Sequence, residues 1–319
     1  MAALRHLRLP SYPNRPVPQF PSYAYASLVQ TTLQQELQAW KAQSASSRGP
    51  PPAPTVISFT PAPTYTLGRR QTDPLTYDEH ERLKSPLLLV APRDERQKAK
   101  AKAGAYYRPA ITSAPRGGLT TYHGPGQLVL WPVIDLHSPL HAHLSVRDYA
   151  CLLEKTTIAT LARLWGLKGF TTDNPGVWVS SRQSKTTTTT ITSGKKPEER
   201  KIAALGVHLR RHVTGLGVAI NYSTPVSGPP ETNPWARIVP CGLGDRGVTS
   251  VCAELGLVEG EEAAVKDDLA AMWCSEFRKR LNFRPDAAQM LGKNTLDLDF
   301  LCSLGTGDEQ MLVKASLID

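Results

Sequence analysis

The 319-residue chain contains no apolar run approaching the roughly 18 residues that a membrane-spanning helix requires, so no membrane span is expected. Cysteine is scarce. The five cysteines, at positions 151, 241, 252, 274 and 302, are odd in number and include no CxxC pair. That pattern argues against a disulfide framework and a thiolate zinc site, and it fits a reducing compartment. Acidic residues are missing from the first 35 positions, which carry Arg5, Arg8 and Arg15 before the first carboxylate, Glu36. An acid-free, Arg-bearing start has the composition of an organelle-targeting leader, here taken as residues 1–20, although five prolines from Pro10 to Pro21 break any amphipathic helix there. What remains is ordinary for a globular protein: 40% hydrophobic and 20% charged residues, enough at this length to bury a substantial core.

The net charge of +9 invites a nucleic-acid partner, but its distribution does not. Residues 93–108 hold six Lys/Arg against Asp94 and Glu95, and residues 181–201 hold six against Glu198 and Glu199. These two stretches carry nearly all the excess. The second contains five consecutive threonines, and both read as outward-looping insertions, at about 93–108 and 181–200. The rest of the chain is close to neutral, and no nucleic-acid surface is expected.

Periodicity orders the chain. From Ser22 onward, Val29, Leu33, Leu37 and Trp40 form one apolar helical face. Val56–Phe59, Thr64–Leu67 and Leu87–Val90 read as strands. Ser145 with Asp148 forms a capping box ahead of a helix that ends near Gly166, with Cys151 expected to pack inside it. Strands are expected at Gly176–Val179, Lys201–Leu209, Gly217–Asn221 and Ile238–Gly242, the last ending in a Pro-Cys-Gly turn. Thr249-Ser250 can cap a helix holding Cys252, and Leu269, Met272, Trp273 and Phe277 mark another. The tail, 286–319, has too little periodicity to assign. Short strands mixed with helices give an α+β class, with one domain over 21–285.

Two features carry chemistry. The stretch from Arg116 to Gln127 packs four glycines with an arginine, a tyrosine and a histidine, then runs into the apolar segment Leu128–Ile134. Glycine at this density lets backbone approach a ligand closely, and the segment reads as a loop forming a binding wall. Cys241 sits between Pro240 and Gly242, and Lys201 restarts patterned chain after the threonine tract. A thiol becomes a nucleophile as its thiolate, which a nearby ammonium favours, but spacing alone does not bring the two together.

The ordered blocks RGGLTTYHGPGQLVLWP, GVWV, KIAALGVHLRR, GVAIN and RIVPCG followed by VTS resemble the lipoyl(octanoyl) transferases over about Thr64 to Ser250. The resemblance implies a biotin- and lipoate-protein-ligase-like catalytic domain, a mixed β-sheet flanked by helices. It implies transfer of an octanoyl group from octanoyl-acyl carrier protein to a lysine of lipoyl domains, on dehydrogenase E2 subunits and the glycine-cleavage H protein. By the same carry-over Cys241 is the acyl-accepting nucleophile and Lys201 the residue that favours its thiolate. Arg116, Gly117, Gly118, Leu119, Thr120, Thr121, Tyr122 and His123 would line the acyl pocket, with Ala204, Leu205, Gly206, Gly217, Val218 and Ala219. No cofactor and no metal are implied; a monomer and a mitochondrial location are expected. Two positions depart from the family pattern: Leu216 stands where histidine is usual, leaving His123 or His208 to assist proton transfer, and Leu119 where bacterial members often have aspartate. The competing readings are an ATP-dependent lipoate or biotin ligase on the same fold, and a non-catalytic lipoyl-domain binder.

Overall fold

The computed structural model of the chain describes residues 4–12, 19–89, 105–180, 198–239, 246–257, 263–291, 298–305 and 314–318. Its frame is a mixed eight-stranded sheet. The order is β12 (Gly247–Val248), β10 (Glu199–Arg210), β11 (Val213–Asn221), β8 (Gln127–Val133), β2 (Thr55–Phe59), β1 (Leu4–Arg8) and β13 (Lys314–Ile318), and β9 (Gly176–Ser180) also pairs with β10. β1 runs parallel to β2, and β12 parallel to β10; the other pairings are antiparallel. The β10–β11 hairpin closes through Arg211 and His212, both at positive φ, the backbone twist that a two-residue hairpin turn demands.

Alternation along the strands sorts side chains into two cores. Val56, Leu128, Leu130, Val218 and Ile220 point to one face, where α3 (Val146–Trp165) and α5 (Ala263–Leu281) bury Tyr149, Leu153, Leu161, Trp273 and Phe277 against them. Ile57, Phe59, Val129, Trp131, Val133 and Ala219 point to the other, covered by Tyr25, Ala26, Val29, Leu33 and Leu37 of α1 (Tyr23–Ala42). A sheet buried on both faces explains why β2, β8 and β11 read as continuous apolar runs. The sheet flanked by helices is the expected fold class. The expected caps form as well: Ser145 and Asp148 make a reciprocal capping box, and Ser250 caps the short α4 (Val251–Leu255); Ser22 Oγ, accepting from Tyr25 N, caps α1 in the same way.

A second sheet of three strands, β6 (Ala110–Ser113), β3 (Thr64–Leu67) and β7 (Thr121–His123), carries the glycine-rich segment. β4 (Leu87–Leu89) and β5 (Ala105–Tyr107) pair beside α2 (Tyr77–Lys84).

Several expectations are corrected. The segment 116–127 is not all loop, because Thr121–His123 pairs antiparallel with β3. Ala105–Tyr107, inside the expected insertion, is strand, and β10 begins two residues before Lys201. Ile238 and Val239 are not in a strand. Pro234–Arg237 forms a 3-10 turn capped by the Asn233 side chain, and the chain leaves it at Ile238. Cys151 is exposed, since it falls between the buried positions Tyr149, Leu152 and Leu153 of α3 on the side away from the sheet. The tail contributes α6 (Ala287–Met290), α7 (Leu298–Ser303) and β13. β1 and β13 lie outside 21–285, yet both extend the same sheet.

Candidate active site

The glycine-rich segment is fixed from both ends. Arg69 and Arg70, in the turn after β3, donate backbone N–H bonds to the carbonyls of Arg116 and Gly118, at 2.9 and 3.2 Å. The Arg116 guanidinium then gathers four acceptors: Nη1 donates to the Gly117 and Leu119 carbonyls, and Nη2 to the carbonyl and hydroxyl of Thr66, at 2.7–3.0 Å. Arg116 is therefore buried as a clamp on its own loop, and its aliphatic stem covers Gly206 of β10.

Behind this clamp lies a cleft of about 410 Å³, counted with its open mouth. Its wall is Tyr23 from α1; Arg116, Thr121 and His123 from the glycine-rich segment; Val129 and Trp131 from β8; Ala204, Leu205 and Gly206 from β10; and Leu216, Gly217, Val218 and Ala219 from β11. Of the residues singled out from sequence, Gly117, Gly118, Leu119, Thr120 and Tyr122 are not on this wall. Strand alternation explains Tyr122: it turns its ring to Tyr65 and Trp235, while Thr121 and His123 face the cleft. Tyr23, Val129 and Trp131 join the wall without having been expected there, and Leu216, expected only as a departure from the family pattern, joins it too. Trp131 and Val129 stand in an apolar run whose alternation marks them only as buried, and Tyr23 reaches the site through tertiary packing.

The wall is apolar with few polar groups. Tyr23 stacks on His123 at 5.6 Å between ring centroids and meets Trp131 edge-on at 5.1 Å. Burial pushes the Tyr23 phenol up to about 12, against the pull of the Arg116 charge, so it stays protonated. Burial, with the Arg116 charge, holds the His123 imidazole down to about 3 although its hydrogen bond with Gln127 favours the charged form. His123 is thus neutral throughout the physiological range. His208, on β10, is half-buried and off the wall; partial burial and the charges of Arg69 and Arg210 lower its pKa.

Lys201 is buried on β10, where its Nζ donates to the Pro175 carbonyl at 3.0 Å and sits 4.8 Å from the Trp178 ring centroid. The cation is thereby held by a carbonyl and an aromatic face. Cys241, with Pro240 and Gly242, lies outside the described residues. Among the described residues no three His, Cys, Asp or Glu side chains are grouped to hold a metal ion, and no helix is long and apolar enough to cross a membrane.

Residues 28–273, which include every residue of this wall except Tyr23, match the family described as the lipoyl protein ligase A/B catalytic domain. The chain belongs to that family. Among its relatives, a probable octanoyltransferase of Schizosaccharomyces pombe is 32% identical over 72% of this chain and 80% of that protein. An octanoyltransferase of Mycobacterium marinum is 33% identical over 81% of this chain and 90% of that one. The mitochondrial octanoyl-[acyl-carrier-protein]:protein N-octanoyltransferase of Danio rerio is 34% identical over 63% and 67%. A solved bipartite lipoate protein ligase from Thermoplasma acidophilum aligns with a TM-score of 0.45 and 13% identity, over 85% of this chain and 86% of that chain.

Proposed function

We propose that the cleft holds the acyl chain of an octanoyl group in transit between two proteins. The chain is an octanoyltransferase of lipoate biosynthesis, an acyltransferase of the family just described. Octanoyl-acyl carrier protein is the donor, and a lysine of lipoyl domains on dehydrogenase E2 subunits and the H protein is the acceptor. The enzyme works as a monomer in mitochondria.

The observation that carries this reading is the wall itself. Val129, Trp131, Ala204, Leu216 and Ala219 offer an eight-carbon chain an apolar bed, with few polar groups beside it. Burying seven alkyl carbons there contributes about 6 kcal/mol at the usual increment per methylene.

The chemistry runs in two exchanges. The Cys241 thiolate, favoured by the Lys201 ammonium, attacks the donor thioester; the carrier thiol leaves, taking the proton from Lys201. The acceptor amine then attacks the Cys241 thioester and forms an amide. Its proton passes to the now neutral Lys201, and the thiolate is expelled, which restores the starting pair. The thioester supplies the driving force, so no ATP is consumed.

The test is intact mass after incubation with octanoyl-acyl carrier protein without ATP, for wild type and Cys241→Ala. A gain of about 126 Da, labile to hydroxylamine and absent from the variant, is expected for an octanoyl thioester. No adduct, with transfer appearing only from free acid and ATP, would sink the thioester route.

A further inference from the structure

A buried chain of amides leads from the His123 ring to the strand that carries Lys201. His123 Nδ1 lies 3.3 Å from Gln127 Oε1. Gln127 Nε2 donates to the Tyr122 carbonyl at 3.2 Å and to Asn221 Oδ1 at 2.8 Å. Asn221 Nδ2 donates to the Thr249 carbonyl at 3.0 Å, and Thr249 N donates to the Lys201 carbonyl at 2.9 Å. Gln127 and Asn221 are 1% and 3% exposed, so no bulk water can substitute for a lost partner.

The direction of every bond follows from the carbonyls at its ends. A backbone carbonyl only accepts, so Thr249 requires the NH2 of Asn221, which turns Asn221 Oδ1 toward Gln127. The Tyr122 carbonyl and that Oδ1 both require the NH2 of Gln127, which leaves Gln127 Oε1 facing His123. An oxygen that only accepts fixes the proton on His123 Nδ1. In a neutral imidazole the other nitrogen then carries a lone pair. That nitrogen, Nε2, makes no hydrogen bond to a described residue, and the ring is part of the cleft wall.

We propose that Gln127 and Asn221 are positioning residues for the transfer: they hold His123 with its proton on Nδ1, so that Nε2 accepts a hydrogen bond from the amine attacking the acyl thioester. This rests on the octanoyl-transfer reading above. As the amine nitrogen bonds to the carbonyl carbon it gains positive charge, and a fixed acceptor beside its N–H stabilises that charge without reorganisation. The ring keeps no proton; the amine proton leaves as described for Lys201. His123 thereby supplies an acceptor on the cleft wall, where the Leu216 side chain has none to offer.

Nitrogen NMR of the full chain labelled in its histidines tests this directly, with the His123 signals assigned by their loss in His123→Asn. The expected result is a pyrrole-type Nδ1 and a pyridine-type Nε2, unchanged between about pH 5 and 9. A proton on Nε2 would overturn the proposal, whether or not the enzyme transfers octanoate. Gln127→Met is expected to shift the proton toward Nε2 and to lower kcat about tenfold with little change in KM for the octanoyl donor. Gln127→Glu keeps an acceptor at Nδ1 but gives up the NH2 bonds to the Tyr122 carbonyl and Asn221 Oδ1, so a lower Tm is expected with it. It should retain the tautomer and recover part of kcat, while raising the ring's proton affinity, so that an acidic limb appears in the pH–rate profile. A shifted proton with unchanged kcat, or kcat equally low in both variants with no acidic limb, would show that the chain is structural only. Absence of octanoyl transfer in the wild type would fail the functional reading instead and leave the tautomer result standing.

Discussion

Tyr23, the first residue of α1, lies flat against His123 with ring centroids 5.6 Å apart and planes inclined by 28°. The contact joins the helical layer on one face of the sheet to the second, smaller sheet, and the cleft opens where the two meet. Trp131 supports Tyr23 edge-on from β8, and Phe59 supports Trp131 in the same way at 4.8 Å. Three elements far apart in sequence thus set the position of one imidazole.

Tyr23→Ala should remove that support and open the wall. Losing a buried aromatic costs about 3 kcal/mol, and urea unfolding would register it as a lower midpoint. The KM for the octanoyl donor should rise. Tyr23→Phe keeps the ring and, since the phenol is uncharged at working pH, should behave nearly as wild type. A large loss of kcat in Tyr23→Phe would contradict a purely packing role.

The glycines of the site should differ sharply. A Cβ on Gly217 would lie 2.3 Å from the Leu130 carbonyl oxygen, a backbone atom of the adjacent central strand that cannot move aside. A Cβ on Gly206 would meet Arg116 Cδ at 2.8 Å, and a side chain can yield at the expense of its bonds to Thr66. Around Gly117 there is nothing within 4 Å. Gly217→Ala is therefore expected to abolish soluble folded protein, Gly206→Ala to cost about 1–3 kcal/mol, and Gly117→Ala to leave Tm within a degree or two. Equal Tm values for the three would refute the close-approach argument.

Local chemistry was legible in sequence wherever one residue sets one feature. Ser145 with Asp148, the face of Val29, Leu33 and Leu37, and the apolar runs of β2 and β8 all form as their side chains dictate. What escaped depends on distant partners. β1 meets β13 from the far end of the chain, and no local signal announces a pairing of Leu4 with Ile318. Tyr23 was legible as helix, not as cleft wall. Tyr122 stood beside His123 in a segment read as loop; seeing it as strand would have put the two side chains on opposite faces. Cys151 lies two residues past Tyr149, about 200° around α3, which turns it off the helix's buried side even though the helical period itself is plain.

Glu276 of α5 should govern acid stability. Burial alone would push its carboxyl up, but hydrogen bonds from Arg280, Lys279 and Arg163 outweigh burial and hold it down, at about 2. A carboxyl depressed on folding contributes its stability above its ordinary value of 4.5 and loses it as pH falls toward 2. The cations are one-third to one-half exposed, so screening limits the effect to about 2 kcal/mol. Glu276→Gln should be less stable than wild type by that amount at pH 7, with the gap closing between about pH 4.5 and 2. A gap independent of pH, measured by denaturant unfolding, would show that the carboxylate charge is not what links α3 to α5.

Leu216 should set how long an acyl chain the cleft admits. It sits within β11 at φ +60°, a conformation that costs a non-glycine residue on the order of 1 kcal/mol, and its side chain is 3% exposed on the wall. Gln30 of α1 holds it there, since Leu216 N donates to Gln30 Oε1 at 2.6 Å. Leu216→Ala removes three carbons from the wall and makes room for added methylenes. Each methylene is worth about 0.8 kcal/mol, so kcat/KM for a decanoyl donor relative to octanoyl should rise by on the order of fourfold or more. Gln30→Ala leaves the Leu216 N–H buried without its acceptor, at a cost of about 1–3 kcal/mol, and frees the side chain to leave the wall. It should therefore relax chain-length preference in the same direction while lowering Tm. If Leu216→Ala kept the wild-type preference, the chain would end elsewhere in the cleft, and the strained leucine would be a matter of strand geometry alone.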